Sequence, residues 1–361
     1  MKNVLTAGAA LLVTTSIAAA GGLDRSGNSY SVIFEEGNFA QLSFSAAKPD
    51  VSGEYPLSLD GGSTENMAES YASGGLALKY ALTDTIDIAV FLNRPFGANA
   101  NYTGGRYTGL AAEWTSTQLA VLGKYKATDN VSVYGGLRAI QSEATIAIPL
   151  ALTTTLEYTA SAESDTQVGY VVGAAYERPE IALRVSLTYE NAVTHEFQTP
   201  EASGGTVFLN NVTEIELPQS VALDFQSGIA ADTLVFGSIR WAEWSVWEVR
   251  PDGYAAVTGD RITGLDNDVV TYRLGVGRRI NDELSIFGRV TYEKSNGGVA
   301  SRLSPTDGST SVGFGGTYTM DNVKFTGGIE YAMLGDATDA TDVAFTGNTA
   351  LGIGLSVGFN F

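Results

Sequence analysis

A strict alternation of apolar and small polar positions marks the last eleven residues of the chain. Leu, Ile, Val or Phe occupies every odd position from Leu351 to Phe361, and Gly, Ser or Asn occupies every even one. A period of two over this length predicts a β-strand with one apolar face and one small polar face. The length suits a strand that crosses a bilayer at a tilt. On this stretch alone, the alternative is an edge strand of a soluble sandwich.

The same alternation recurs in residues 76–82, 86–92, 181–189, 270–276 and 323–331. The positions between the apolar residues carry many charges, among them Lys79, Asp87, Arg184 and Arg273. In a soluble barrel the apolar face would fill the interior. Because so many charges cannot face lipid, the pattern predicts a barrel with its apolar face toward the membrane and its polar face toward the lumen.

Six short polar clusters are typical of tight turns, since Asp, Asn and Pro favour chain reversal. They are Thr83–Thr85, Ala127–Asn130, Glu177–Glu180, Ala230–Thr233, Ile280–Glu283 and Met320–Asn322. Each interval between clusters has room for an ascending strand, a longer loop and a descending strand. Six turns join twelve strands, and a first and a last strand make fourteen. The predicted fold is therefore an all-β, transmembrane antiparallel barrel with the even strand number of bacterial outer-membrane proteins.

Aromatic residues lie at constant offsets from these turns. Tyr80, Tyr125, Tyr176 and Tyr318 come shortly before a turn, and Tyr189, Trp241, Tyr292 and Tyr331 come nine or ten residues after one. Ten residues of a strand tilted by about 40° rise about 25 Å, the height of the apolar band between two aromatic girdles. The spacing supports a membrane-spanning barrel.

The N-terminus has the pattern of an export signal. Lys2 precedes an apolar run from Ala7 that ends in Ala18-Ala19-Ala20, so we predict a signal peptide over residues 1–20. Residues 21–38 then precede a barrel formed by residues 39–361. When extended, residues 21–38 could span roughly 60 Å, and a fourteen-stranded barrel is too wide for its own side chains to fill. We therefore predict that residues 21–38 fold back into the lumen as a short plug.

The composition of the chain excludes several classes of partner and of chemistry. A formal net charge of -19 argues against a nucleic-acid partner, whose phosphates need Lys and Arg. The chain has no Cys and a single His, His195, which we place in a loop after Tyr189. A disulfide framework is therefore excluded, and a metal cluster or Ser–His catalysis is not expected. We expect no enzyme activity, no cofactor and no metal.

Five stretches together resemble a known family. They are Gly21–Asn28, Arg94–Gly97 with Asn101-Tyr102, Leu217–Val221, Trp241–Ser245 and the closing Gly358–Phe361. They are similar to the FadL family of outer-membrane transporters for long-chain fatty acids and other hydrophobic compounds. The resemblance covers nearly the whole mature chain and implies a fourteen-stranded barrel with an N-terminal plug. Residues 21–38 are shorter than the plug usual in that family, and no Asn-Pro-Ala motif occurs.

The resemblance also implies a kinked third strand that leaves a gap in the wall, through which ligand leaves sideways. Pro95 fits such a kink because proline cannot donate to a strand ladder. We select ligand contacts from the plug, the third strand, an apolar extracellular loop and the lumen arginines, which can bind a carboxylate in bidentate fashion. They are Val32, Ile33, Phe34, Phe91, Pro95, Phe96, Ile148, Leu150, Leu152, Arg138, Arg184 and Arg240.

Two of these selections have a structural alternative. The apolar stretches 102–107, 110–114 and 146–152 either capture ligand or pack on each other as a lid. The charges that should face the lumen either contact ligand or pair across strands. These charges are Lys79, Lys124, Arg138, Arg184, Arg240, Arg273, Arg289 and Lys324, with Asp87, Glu190, Asp224, Glu293 and Glu330.

The sequence thus predicts a monomeric channel of the outer membrane of a Gram-negative bacterium. It would take up long-chain fatty acids or other hydrophobic compounds passively, by capture at apolar loops, binding in the lumen and release at the third strand. Outer-membrane lipids and lipopolysaccharide are the expected surroundings. The barrel assembly machinery, which reads the terminal aromatic residue in similar proteins, would recognise Phe361. A general diffusion porin for small polar solutes and a structural or adhesive barrel are the alternatives.

Overall fold

The computed structural model describes residues 23–25, 29–153 and 157–361. Across these ranges, fourteen strands form one closed antiparallel barrel, which confirms the predicted fold class and strand number. The predicted signal peptide lies outside the described residues. The strands are β1 (Phe39–Asp50), β2 (Tyr71–Ala81), β3 (Ile86–Asn93 and Gly97–Asn101), β4 (Ala111–Lys126), β5 (Val131–Ile148), β6 (Tyr158–Arg178), β7 (Leu183–Glu190 and Val193–Ser203), β8 (Thr206–Leu217 and Ser220–Ala230), β9 (Thr233–Ala242), β10 (Val269–Arg279), β11 (Leu284–Glu293), β12 (Ser309–Met320), β13 (Val323–Leu334) and β14 (Thr349–Asn360).

All six predicted turns join successive strands at one end of the barrel. Two of them are the tightest, between β8 and β9 and between β12 and β13. Each uses an aspartate in the left-handed region, Asp232 with φ 57° and Asp321 with φ 52°, a conformation that Asp tolerates better than most residues. Ile181, predicted to lie in a strand, instead ends a short 3-10 helix, Pro179–Ile181, because the proline there cannot donate to a ladder.

The apolar face of the barrel points outward. In β14, Leu351, Ile353, Leu355, Val357 and Phe359 are all exposed, while the Gly and Ser residues between them are buried. The turn-proximal tyrosines of the predicted girdles are exposed as well. A continuous exposed apolar belt costs free energy in water and is favourable in lipid. The alternation is therefore an outward, lipid-facing one, as predicted.

Strands β4 to β8 continue past the upper aromatic girdle, and the loops at that end fold over the barrel mouth. They contain helix α1 (Asp252–Thr258) and short strands at Gly53–Glu54, Glu248–Val249, Thr263–Gly264, Val299–Ala300, Ala337–Asp339 and Ala344–Phe345. Single 3-10 turns lie at Leu57–Leu59, Gly105–Tyr107, Leu150–Leu152 and Trp244–Val246, and another, Ser31–Phe34, precedes β1. Among the described residues, no helix is long and apolar enough to cross a bilayer.

Candidate functional site: a lumen cavity beside an interrupted wall

The hydrogen-bond ladder between β2 and β3 is interrupted. Their ladder ends at the pair Leu76–Leu92, and an isolated bridge between Ala68 and Ala100 follows in the same register. Between these two pairs, no ladder pair joins residues 69–75 to residues 93–99, all of which are described. We call this stretch the wall window. Because Leu76 lies about 10 Å above Tyr80 of the lower girdle, the window begins near the middle of the apolar band and extends toward the outer leaflet.

On its other edge, β3 bulges against β4 at the predicted kink. The flanking pairs are Asn93–Gln118 and Gly97–Thr115, so three residues of β3 oppose two of β4. The hydroxyl of Ser116 donates to the carbonyl oxygen of Phe96 at 2.7 Å and accepts from its N–H at 2.9 Å. Pro95 is the extra residue of the bulge, a position where its missing N–H leaves no donor unsatisfied.

Residues 23–25 lie along the edge of β3 within the wall window. The N–H of Arg25 donates to the carbonyl oxygen of Pro95 at 2.8 Å, and the N–H of Gly97 donates to that of Leu23 at 2.7 Å. These bonds occupy backbone groups of β3 that the window separates from β2. Residues 23–25 thus satisfy two backbone groups of an otherwise unprotected strand edge.

The described residues before β1, residues 23–25 and 29–38, are held in the lumen by charged and polar anchors. Asp24 pairs with Arg240 at 2.9 Å, and Glu35 pairs with Lys324 at 2.7 Å. The hydroxyl of Tyr30 donates to Glu190 at 2.5 Å. These anchors reach β7, β9 and β13, so the segment spans the width of the lumen.

The predicted apolar cluster at Val32–Phe34 is buried in the lumen, against side chains of β1 to β4. Val32 and Ile33 pack with Phe39, Ala77, Phe91 and Leu122. The ring of Phe34 meets Tyr134 edge-on at 5.5 Å, and the guanidinium of Arg184 lies over it at 4.7 Å from the ring centre. This cluster forms a floor of packed side chains across part of the barrel.

Above this floor is a partly open cavity of about 170 Å³, bordered by strands, the N-terminal residues and the extracellular loops. Its walls are mostly aliphatic and aromatic. The lining includes Leu23, Arg25, Val51, Met67, Ala68, Glu69, Gly97, Ala98, Asn99, Ala100, Trp114, Ile146, Ala160, Ile215, Trp247, Leu265, Leu303 and Leu334. Ala68, Glu69 and residues 97–100 belong to the cavity and also border the wall window. The cavity therefore adjoins the interruption in the wall.

The apolar extracellular stretches pack on each other above the cavity. Tyr102, Tyr107, Leu110 and Ile148 are buried in one cluster, whereas Leu150 is exposed. The 102–107 and 110–114 stretches therefore take the lid arrangement that the sequence left open, and Trp114 belongs to β4. Ligand capture by these loops stays a prediction.

A buried carboxylate ties this lid together. Asp339 accepts hydrogen bonds from the hydroxyl of Tyr107 and from the backbone N–H groups of Thr341 and Val343. The guanidinium of Arg302 lies within 3.5 Å of the same carboxylate. Burial and the hydrogen bond to Asp339 raise the pKa of Tyr107 to about 12, so this donor stays protonated at physiological pH.

Helix α1 of the lid is also held by a carboxylate that accepts several hydrogen bonds. Glu201 in β7 accepts from the N–H groups of Gly253 and Tyr254 at 2.7 and 2.8 Å, and from the hydroxyl of Tyr158 at 2.7 Å. The carboxylate thus satisfies donors at the start of the helix that have no partner within it. The lid is built from long-range contacts and has its own polar framework.

The structure distributes the twelve predicted ligand contacts over several places. Val32, Ile33 and Phe91 lie in the floor, Pro95 and Phe96 in the bulge, and Ile148 and Leu152 in the lid. Arg138 pairs with Glu190 at 3.2 Å, Arg240 with Asp24, and Arg184 donates to Gln226 at 3.2 Å. These pairs favour the structural alternative for the lumen charges. Ligand contact by any of the twelve stays a prediction.

Sequence reasoning missed much of the cavity lining. Trp114 alternates with Ser116 and Gln118 in β4, a signal that could have placed it in the lumen. Leu23, Arg25 and Trp247 lie outside the barrel strands, and no local sequence pattern predicts that they line the cavity. Their contribution depends on contacts between distant parts of the chain.

The placement of His195 was wrong. It lies in β7, where its ring is buried against Phe197 and its Nδ1 atom is 2.8 Å from Asp165. The ladder between β6 and β7 is interrupted there, since no ladder pair joins residues 161–170 to residues 191–200, and the Asp165 carboxylate bonds to His195 and to the N–H of Glu196 instead. A Gly-x-Ser-x-Gly sequence occurs at Gly354–Gly358. It is continuous strand in β14, not the strand–turn–helix that a nucleophile elbow requires.

A closed fourteen-stranded barrel with an outward apolar band, a folded lid and an occupied lumen defines a transmembrane β-barrel of the outer-membrane type. Solved structures with this fold include a Pseudomonas aeruginosa FadL homologue, with a TM-score of 0.72, 12% sequence identity and coverage of 92% of both chains. The P. putida toluene transporter TodX gives a TM-score of 0.66 at 12% identity, with 91% of each chain covered. The predicted resemblance to FadL is confirmed at the level of the fold.

A third similar structure is the Ralstonia pickettii toluene transporter TbuX. Its TM-score is 0.61 at 12% identity, and the match covers 91% of this chain and 90% of that one. Neither the protein-family models nor the curated proteins give a match to the sequence.

Proposed function

We propose that this protein is an outer-membrane channel for the passive uptake of long-chain fatty acids or other hydrophobic compounds. The observation that carries the proposal is the contact between the apolar cavity and the wall window, which share Ala68, Glu69 and residues 97–100. A compound in the cavity would reach the outer leaflet through the wall window. The fold neighbours, a FadL homologue and two toluene transporters, support the same class of cargo.

The physical problem is the lipopolysaccharide layer, whose sugars and charges exclude hydrophobic solutes. An apolar cavity removes such a solute from water at a gain of roughly 25 cal/mol per Å² of apolar surface. Release through the wall window would deliver it to lipid without a second passage through water. No energy source is needed, because partition into the bilayer is favourable.

In this scheme the N-terminal residues have two tasks. They plug the polar part of the lumen against ions, and they cover the edge of β3 until ligand leaves. The apolar extracellular loops capture the ligand, and movement of the lid admits it to the cavity. A general diffusion porin would instead need an open, water-filled lumen, and it would conduct ions steadily with its N-terminal residues in place.

Deletion of Pro95 tests whether the ligand is released through the wall window. Without it, the register of β3 against β4 becomes continuous, with Arg94 opposite Thr117 and Phe96 opposite Ser116. We expect the wall window to narrow and uptake of radiolabelled oleate or toluene to fall toward that of cells lacking the protein. Pro95→Val is the milder version, because Val restores the N–H and favours strand geometry. Uptake is measured in a host without its own hydrophobic-compound channel.

The matched control is Pro56→Val, a proline of an extracellular loop that lines neither the cavity nor the window. All variants must reach the membrane in equal amounts and migrate as folded barrels on unheated gels. Normal uptake by both Pro95 variants would reject release at β3. Loss of uptake in the Pro56 control as well would indicate a general defect.

We also propose that the assembly machinery recognises Phe361. The N–H of this residue donates to the carbonyl oxygen of Asn38 at 3.1 Å, while its ring is exposed beside Phe359. Phe361→Ala keeps the backbone bond and removes only the ring, so we expect less assembled protein in the outer membrane without a loss of stability once folded. Quantitative blotting of membrane fractions measures this. Equal surface levels of variant and wild type would exclude the role.

A further inference from the structure

Arg25 is a buried cation that has no counterion among the described residues. It is 9% exposed, and its guanidinium carbon lies 3.4 Å from the centre of the Tyr71 ring. On the described chain, its side chain makes no hydrogen bond and no ion pair. By contrast, the lumen cations Arg138 and Arg240 each have a carboxylate within 3.2 Å.

The position of this guanidinium is fixed by the fold. The Arg25 N–H is bound to Pro95, and the side chain lies against Gly97, where a Cβ atom would come within 3.0 Å of it. Arg25 lines the apolar cavity. A charge in such surroundings is costly unless it is paired, and a ring contact recovers only about 0.5–2 kcal/mol of that cost.

The two carboxylates at the cavity do not serve as its partner. Glu69 accepts a hydrogen bond from the Asn101 amide at 3.1 Å, and both Glu69 and Glu113 are exposed to solvent. Glu113 pairs in register with Asn99, two residues along β3 from Gly97 toward the extracellular end. The rim of the cavity is thus acidic, and its inner end is cationic.

We propose that Arg25 receives the carboxylate of an amphipathic ligand whose apolar chain occupies the cavity. This inference rests on the proposed function and narrows its cargo to anionic lipids such as fatty acids, in preference to neutral hydrocarbons. The planar guanidinium can bind a carboxylate through two parallel hydrogen bonds. Stacking on Tyr71 orients that plane and leaves its N–H edge for the ligand.

The test compares ten-carbon ligands that differ only in the head group: decanoate, 1-decanol and decane, at pH 8 with purified, folded protein. Trp114 and Trp247 line the cavity, so their fluorescence reports binding. For wild type we expect decanoate to bind about tenfold to a hundredfold more tightly than decanol, the ratio given by a charge-assisted hydrogen bond. Arg25→Gln should reduce decanoate affinity to that of decanol and leave decanol unchanged. Arg25→Lys should recover part of the preference.

Arg178→Gln is the matched control, because Arg178 is an exposed arginine at the turn between β6 and β7, outside both the cavity and the lid. It should keep the full preference for decanoate. Equal binding of decanoate and decanol by wild type, or an equal loss of both ligands in Arg25→Gln, would overturn the role of Arg25 while leaving hydrophobic uptake intact. Absence of binding by all three ligands in wild type would instead count against the proposed function.

Discussion

Deletion of residues 21–36 is expected to convert the folded barrel into an ion-conducting pore. The deletion removes Tyr30 and the apolar cluster from Val32 to Phe34, which pack across the lumen floor. A barrel of this strand number does not fill its interior with its own side chains. In planar bilayers, we expect stable single-channel steps that the intact protein lacks, together with weaker binding of decanoate and decanol.

The ion selectivity of that pore follows from the remaining charges. Asp24 and Glu35 leave with the segment and free their partners Arg240 and Lys324. Of the lumen-facing charges predicted from the sequence, eight are cations and five are carboxylates. We therefore expect a preference for anions, visible as a shifted reversal potential in a KCl gradient.

A double variant, Asp24→Asn with Glu35→Gln, is the control for this deletion. It keeps the full segment and removes only the charges of its two ion-pair anchors. We expect brief openings in place of a permanently open pore. If the deleted protein conducts and binds ligand as the intact protein does, residues 21–36 are only a leader to β1.

Asp87→Ala should cause the largest loss of stability among single substitutions of the lumen charges. Asp87 is fully buried between Lys79 and Lys124, each at 3.1 Å. Its removal leaves two buried ammonium groups with no carboxylate between them. Breaking a buried pair from one side typically costs about 3–5 kcal/mol. The urea midpoint of refolded protein in lipid vesicles, followed by Trp fluorescence, measures the loss.

Two further variants show whether the loss of stability in Asp87→Ala is electrostatic in origin. Glu180→Ala breaks the exposed contact with Arg178 at 4.0 Å, and surface pairs contribute only about 0–1 kcal/mol. The triple variant Asp87→Leu, Lys79→Met, Lys124→Met removes all three charges and should recover most of the stability. If the Asp87→Ala protein is as stable as the Glu180→Ala protein, the prediction is wrong. The two ammonium groups would then be solvated by water, or would move apart, once the carboxylate is removed.

The barrel could be predicted from the sequence because its rules are local. Alternation defines the two faces of a strand, and Asp- and Pro-rich turns define its ends. Tyr80 and Tyr331 could be placed at opposite girdles from their distance to a turn alone. The bulge at Pro95 was also predictable, since proline removes a ladder donor.

The site was less predictable because it depends on long-range contacts. Nothing near Arg25 indicates that it reaches Gly97 and Tyr71, and nothing near Trp247 indicates that its loop folds over the cavity. Lumen arginines such as Arg138 look alike in sequence whether they bind ligand or pair with Glu190. Their partners are decided by the relative position of strands that lie far apart in the chain. His195 was misplaced for a related reason, since β7 continues past a break at residues 191–192.

The closure of the barrel also has a consequence for the order of folding. β1 pairs with β14 along its whole length, from Phe39 opposite Asn360 to Asp50 opposite Thr349. Almost the entire chain therefore separates the two strands that complete the ring. The entropy of closing so long a loop must be overcome before this pairing gains any contacts, and pairings of this kind form slowly. β1 can join β2 early, but its other edge stays open until the C-terminal strand is available. That interval is when the N-terminal residues, attached directly to β1, can still settle among the lumen side chains of β7, β9 and β13 without threading through a finished barrel.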